Sequence, residues 1–193
     1  MKFIFVDTET GGLNENENDV LQLAWELTDE DYNVIRSNSF FLKRRHPATQ
    51  RAIELNGLTD AFLNENATDE YEVYRLFGLE LKEADCLVAH YAPFDKAFIK
   101  ADVKRRISGL EPEIAEGIIK RIDLIRTIDT KRDYMYINRE WSLRNHPGPY
   151  LDEMCHYLGV ESKHLRFHRA DADVEAMRLC LKQIAEINKT LPA

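Results

Sequence analysis

A four-residue apolar run, Phe3-Ile4-Phe5-Val6, stops abruptly at Asp7-Thr8-Glu9. The run is short, continuous and rich in strand formers. It predicts a strand covered on both faces, in the middle of a sheet. Residues two apart in an extended chain point the same way, so Asp7 and Glu9 project together from the end of that strand. Like charges so placed repel and resist burial unless something positive lies between them. A hard divalent cation with oxygen ligands, such as Mg²⁺, meets that need. A strand that simply ends in the polar turn Thr10-Gly11-Gly12 is the other reading, and the tripeptide alone does not choose between them.

With 193 residues, the expectation is one domain spanning 1–193, with enough chain for a sizeable core. The hydrophobic share of 44% and aromatic share of 10% fit a globular protein. No apolar run approaches the roughly 18 residues of a membrane span. The first strand begins at once, which leaves no signal peptide. Cys86, Cys155 and Cys180 are far apart and odd in number, which predicts reduced thiols in a cytoplasmic protein and no zinc site.

The net charge of −8 argues against a general nucleic-acid binder. The distribution is uneven. Residues 1–35 hold nine acids and one base, whereas residues 96–132 hold ten bases and six acids. Lys43-Arg44-Arg45-His46, with Arg51 just beyond, is a basic cluster. Such segments either track a phosphate backbone or are solvated faces.

Val20 to Leu27 alternates as a strand, and Val34 to Leu42 returns as its hairpin partner. Strands one to three are therefore antiparallel neighbours. Pro47 opens a helix that Gly57 closes. Thr68 caps a helix with Val73, Tyr74, Phe77, Leu81 and Ala84 on its inner side. Cys86 to His90 is a second buried strand. Helices follow from Pro93 to Ile107 and from Pro112 to Arg121, then a strand from Ile122 to Ile128. Residues 138–149 form a loop. Tyr150 to Leu158 is a short helix, and the last helix runs from Asp171 to Ile187. A hairpin followed by alternating helices and strands implies an α/β fold with a mixed five-stranded sheet flanked by helices.

Two further carboxylates are placed oddly for surface helices. Asp95 lies one turn before Ile99 and two before Val103. Asp173 lies one turn before Met177, on the stripe that continues through Cys180, Leu181 and Ile184. A surface helix normally puts its acids opposite such a stripe. Singly, each reads as a first-turn acid favoured by the helix dipole. Jointly, Asp7, Glu9, Asp95 and Asp173 each stand at the end of an element that otherwise goes inside. His168, five residues before Asp173, falls in a loop. A lone histidine is more often structural than catalytic. Beside a metal cluster, its ordinary pKa near 6.5 suits a general base.

The set Asp7-Thr8-Glu9-Thr10-Gly11-Gly12-Leu13, His90-Tyr91-Ala92-Pro93-Phe94-Asp95, Asp129-Thr130 and His168-Arg169-Ala170-Asp171-Ala172-Asp173 resembles the DEDDh exonucleases. These include the proofreading subunit of bacterial DNA polymerase III, the TREX enzymes, RNase T and oligoribonuclease. The motifs occur in the right order over nearly the whole chain. The resemblance implies a ribonuclease H-like fold and 3′→5′ hydrolysis of nucleic acid to nucleoside monophosphates with two Mg²⁺ or Mn²⁺ ions, and single-stranded DNA is the expected substrate. It implies that Asp7 bridges both metals, that Glu9 and Asp173 hold the one binding the attacking water, and that Asp95 supports the other. His168 is then the base. Leu13 wedges against the terminal base and Phe94 lies near the terminal nucleotide, with Thr10, His90 and Tyr91 also on the substrate side. The physics of two cations flanking an in-line displacement agrees with this division.

The chain departs from the family pattern at Tyr91, where Asn is usual, and at Gly11, where Thr is common. Tyr91 either stacks on a base or packs inside. No long C-terminal tail like the polymerase subunit's follows Asp173, and the proline-rich insertion of the TREX enzymes is missing. The expectation is a stand-alone exonuclease, or one that meets a polymerase or other protein partner by a different surface. The same chemistry on RNA or short oligoribonucleotides is the alternative, separable by readout of the 2′-hydroxyl. A non-catalytic binding module is disfavoured because no carboxylate of the set, nor His168, is lost.

Overall fold

The computed structural model describes residues 1–134 and 149–190. Five strands form one sheet: β1 (Phe3–Thr10), β2 (Val20–Thr28), β3 (Val34–Phe41), β4 (Cys86–Ala89) and β5 (Arg126–Asp129). Their order is β3-β2-β1-β4-β5. The β1–β2 and β2–β3 pairs are antiparallel, whereas β1–β4 and β4–β5 are parallel. The mixed sheet and the antiparallel hairpin are as the sequence predicts.

Alternation in β1 builds two cores at once. Ile4 and Val6 join the core that holds α3 (Glu70–Glu83), α4 (Ala92–Arg106) and α5 (Pro112–Leu124). Phe3 and Phe5 face the opposite way, toward α7 (Leu151–Leu158) and α8 (Ala170–Thr190). The central strand is thus buried on both sides, as a strand bearing helices on both faces must be. β2 is the strand expected at Val20 to Leu27, and it is buried along its whole length.

Several boundaries differ from the sequence reading, each for a local reason. Pro47 does not open a helix. α1 (Gln50–Asn56) starts after Thr49, whose side chain accepts from the Ala52 amide. A further helix, α2 (Asp60–Asn66), is capped by Thr59. It buries one side chain, Leu63, and so shows no apolar stripe. Asp69, not Thr68, caps α3 by accepting from the amides of Tyr71 and Glu72. α5 continues to Leu124 because Ala115, Ile118 and Ile122 form one buried stripe. The expected strand from Ile122 therefore begins at Arg126. Asp129 ends β5 and caps the short α6 (Thr130–Asp133). The expected loop at 138–149 falls, apart from Pro149, outside the described residues. Among the described residues no helix is long and apolar enough to cross a membrane. The three cysteines are buried and free.

Candidate active site

Strand alternation assembles the acids. Asp7 and Glu9 continue the face of Phe3 and Phe5, against which α8 packs and presents Asp173. Thr8 points to the other face, where α4 begins. Its amide and its hydroxyl both donate to Asp95 Oδ1, at 3.0 and 2.8 Å. The carboxylates thus straddle the end of one buried strand. The His168 amide donates to Asp173 Oδ2 at 3.2 Å. His168 itself is exposed and left-handed, with φ of 64°. One ligand atom each from Glu9, His168 and Asp173 lies within 4.8 Å of the others.

The electrostatics of the cluster are those of uncompensated charge. Burial, then repulsion from Asp95, Asp173 and Glu9, drives Asp7 well above the carboxylate range. Burial raises Glu9 to about 7, against a lowering hydrogen bond from Asn56 and the charge of Arg169. Burial raises Asp95 to about 7, although the Thr8 bonds oppose it. Burial and Glu9 raise Asp173 to about 8. Asp173 Oδ1 is buried and has no hydrogen-bond partner among the described residues. Carboxylates in this condition either hold protons or take up a cation.

The cluster floors a cleft with two arms. One cavity, of about 460 Å³, runs from the acids past Leu13, Ala52, Asn56 and Phe94. A second, of about 550 Å³, runs past Tyr150, Leu151 and Phe167. Asp7, Arg51, Leu55, His90, His168 and Asp173 line both. Leu13 is 86% exposed at the lip of the first arm, an unusual place for a leucine. The turn that carries it is tightly held. The Thr10 hydroxyl donates to the Gly12 carbonyl at 2.6 Å, and a Cβ on Gly12 would collide with the Asn18 amide. At Gly11 a Cβ would meet Ala48 at 3.4 Å, so space does not demand glycine there.

His90 is wedged rather than free. Its ring nitrogens lie 2.9 Å from Thr130 Oγ1 and 2.9 Å from the Pro149 carbonyl, and burial lowers its pKa to about 4. Tyr91 does not line either arm. It is 53% exposed, which excludes the inside-packing reading. Its φ of 77° puts it in the left-handed region. That region suits Asn, the residue usual here in the family pattern, better than an aromatic. The conformation costs about 1–3 kcal/mol and is held by the Tyr91 amide donating to Asp129 Oδ1 at 3.1 Å.

Two site residues escaped the sequence reading as such. Asn56 reads as a helix-ending residue before Gly57. In the fold it is buried, donates to the Thr10 carbonyl at 3.2 Å, accepts from the Leu58 amide and hydrogen-bonds Glu9. Arg51 reads as an outlier of the basic cluster but lines both arms above the acids. Three others of that cluster are committed elsewhere. Arg44 pairs with Asp60, Arg45 with Glu70, and His46 with Asp19 at 2.8 Å.

Comparison with known proteins places this geometry. The exonuclease family model RNase_T matches residues 4–179. The PolC-type DNA polymerase III of Streptococcus sanguinis strain SK36 is 26% identical over 184 residues, which are 95% of this chain and 11% of that protein. The corresponding protein of Streptococcus pneumoniae strain D39 is 27% identical over the same length and shares. The chain thus spans about a tenth of these relatives. Among solved structures, E. coli exonuclease I in complex with a dT13 oligonucleotide superposes with a TM-score of 0.72 at 19% identity, covering 97% of this chain and 43% of that one. Exonuclease I of Methylocaldum szegediense gives 0.74 at 19% identity, covering 98% and 41%. These likenesses establish the fold, and the family model establishes membership: the chain belongs to the exonuclease family within the ribonuclease H-like superfamily.

Proposed function

We propose that the chain is, as one domain, a divalent-metal-dependent 3′→5′ exonuclease that releases nucleoside 5′-monophosphates from single-stranded DNA. One observation carries the reading. Four carboxylates converge in a cleft with raised pKa values, and a buried Asp173 oxygen lacks any hydrogen-bond partner among the described residues. That donor set fits Mg²⁺ or Mn²⁺, which favour oxygen ligands. Asp7, Glu9, Asp95 and Asp173 would hold the ions. When bound, a pair of such ions stabilises the entering and leaving oxygens of an in-line phosphoryl displacement.

The side chains of this chain supply the rest. His168, exposed at the rim beside Glu9 and Asp173, takes the proton of the attacking water. Leu13 and Phe94 wall the first arm, which accepts the terminal nucleoside. Arg51, above the acids in both arms, faces the phosphate between them. The oligonucleotide-bound exonuclease I structures and the polymerase relatives support DNA as substrate.

The test uses single-stranded DNA, duplex DNA and RNA, each end-labelled and incubated with Mg²⁺, with products resolved by length. Single-stranded DNA should shorten fastest and one nucleotide at a time, with a 3′ label released first as mononucleotide. Chelation should stop the reaction and added Mg²⁺ or Mn²⁺ restore it. Release of a 5′ label first, or activity that survives chelation, would contradict the reading.

A further inference from the structure

We infer that Tyr150, Lys131 and Tyr91 form a subsite for the nucleotides on the 5′ side of the scissile phosphate. This rests on the exonuclease reading. A phosphodiester held over the acids has two substituents, and the cleft has two arms. The first arm, with Leu13 and Phe94, takes the terminal nucleoside. The remaining strand must leave by the second arm, which Tyr150 lines.

From Tyr150 the surface continues through a cation to a second aromatic ring. Lys131 Nζ lies 5.3 Å from the Tyr150 ring centroid and 5.8 Å from that of Tyr91. Both rings are more than half exposed, at 58% and 53%. Exposed rings flanking one ammonium are what a single strand requires. Each base stacks on a π-face whatever its identity, and the cation meets the phosphate between them.

The three residues come from different elements, yet each is fixed. Asp129 Oδ1 accepts from the amides of Tyr91, Lys131 and Arg132 together. His90 ties this corner to residue 149, next to Tyr150, through the Pro149 carbonyl. The Tyr150 amide donates to Glu153 Oε2 at 2.9 Å. The strained backbone of Tyr91 gains a purpose here. The left-handed conformation holds its ring out of the core, on the track that the strand follows. Asp152 and Glu153 also line the second arm. Their charge repels phosphate from that wall, which leaves the Lys131 side as the path.

The experiment measures binding of 5′-fluorescein-labelled (dT)8 to the full chain by anisotropy. It is run in Ca²⁺, a cation that fills a carboxylate site, across a salt series. Tyr150→Ala and Tyr91→Ala should each weaken binding about 5- to 100-fold, as loss of one base–aromatic stack does. Tyr150→Phe and Tyr91→Phe, which keep the rings and the Tyr91 backbone, should restore it. Lys131→Ala should make the log–log salt slope shallower by about 0.7, one phosphate contact on a single strand. Dissociation constants within twofold of the unsubstituted protein for both alanine variants, an unchanged salt slope, or no binding by the unsubstituted protein would overturn the subsite. Nucleotide release from the same oligonucleotide in Mg²⁺ is read separately. Binding as expected without release would sink the exonuclease reading and leave the three residues as a surface that binds a single strand without cleaving it.

Discussion

Helix α4 carries two buried aspartates two turns apart, and their surroundings are opposite. Asp102 accepts from Tyr74 Oη at 2.7 Å, Arg106 Nε at 2.6 Å and Arg105 at 3.1 Å. Nearby Asp19 is pushed up by burial, but hydrogen bonds from the His46 ring, the His46 and Arg45 amides, and the charge of Arg106 bring it below its ordinary value. Asp95, at the other end of the same helix, shares its pocket with three more acids. Its hydrogen bonds come from Thr8, and burial lifts it to about 7. One cluster brings its own cations and is structure. The other has more acid than cation around it, and on the proposed reading that unbalanced charge is the place for a metal ion.

The contrast can be broken at either end. His168→Ala should slow hydrolysis by a factor of roughly 10²–10⁴, the worth of a positioned base. Metal-induced thermal stabilisation should survive it, because the four carboxylates remain. A variant of near-normal rate would remove His168 from the mechanism. Asp102→Ala acts at the structural end. It takes from the fully buried guanidinium of Arg106 its nearest carboxylate, leaving Asp19 at 3.7 Å and Glu70 at 3.8 Å, and loss of one partner of such a pair costs up to about 3–5 kcal/mol. In a domain of this size that lowers the melting midpoint by roughly 6–20 °C. A midpoint within two or so degrees of the unsubstituted protein would show that the network contributes little.

A smaller effect sharpens the boundary between the two regions. Asn56 lines the first arm and also holds Glu9 and the Thr10 carbonyl. Asn56→Ala should cost about 10- to 100-fold in activity, as loss of a group that orients a metal ligand does. Raising Mg²⁺ should recover part of that loss. Activity unchanged at every Mg²⁺ concentration would mean that Glu9 is oriented by the strand alone.

The two regions were unequally legible in the sequence. Asp7, Glu9, Asp95 and Asp173 could be read because each breaks a local pattern, an acid where a strand or apolar stripe should continue. Asp102 and Arg106 also sit on α4, and their i, i+4 spacing looks like an ordinary surface pair. Their burial depends on Tyr74, Val20 and Lys43, which the fold brings from far along the chain. Asn56 and Arg51 were hidden for the same reason, since a short polar helix carries no sign of what it faces. The run from Ile122 is ambiguous in sequence because three apolar residues end a helical stripe and begin a strand with equal ease. Asp129 and Thr130, read as a motif, turned out to brace the corner under Tyr91 and His90.

On the proposed reading, the acidic cluster is strained without metal and relaxed with it. In the metal-free fold Glu9 and Asp95 keep protons to about pH 7 and Asp173 to about pH 8. In the unfolded chain such groups release them near pH 4. Folded pKa values raised in this way give stability that is full below about pH 4 and is lost as pH rises toward 8. A metal ion binds the ionised form and so reverses the loss. The decisive measurement is thermal melting at pH 5 and pH 8.5, in chelator and in Mg²⁺ or Mn²⁺, of the unsubstituted protein and of Asp173→Asn. In chelator the unsubstituted protein should melt lower at pH 8.5 than at pH 5. Metal at a hundredfold excess over its dissociation constant should add about 2.7 kcal/mol per ion at pH 8.5, a rise of roughly 5–10 °C. Asp173→Asn, which keeps the shape and an acceptor for the His168 amide, should melt higher than the unsubstituted protein in chelator at pH 8.5 and gain less from metal. If it melts lower there, Asp173 is a structural acceptor like Asp102, and the contrast between the two clusters is contradicted.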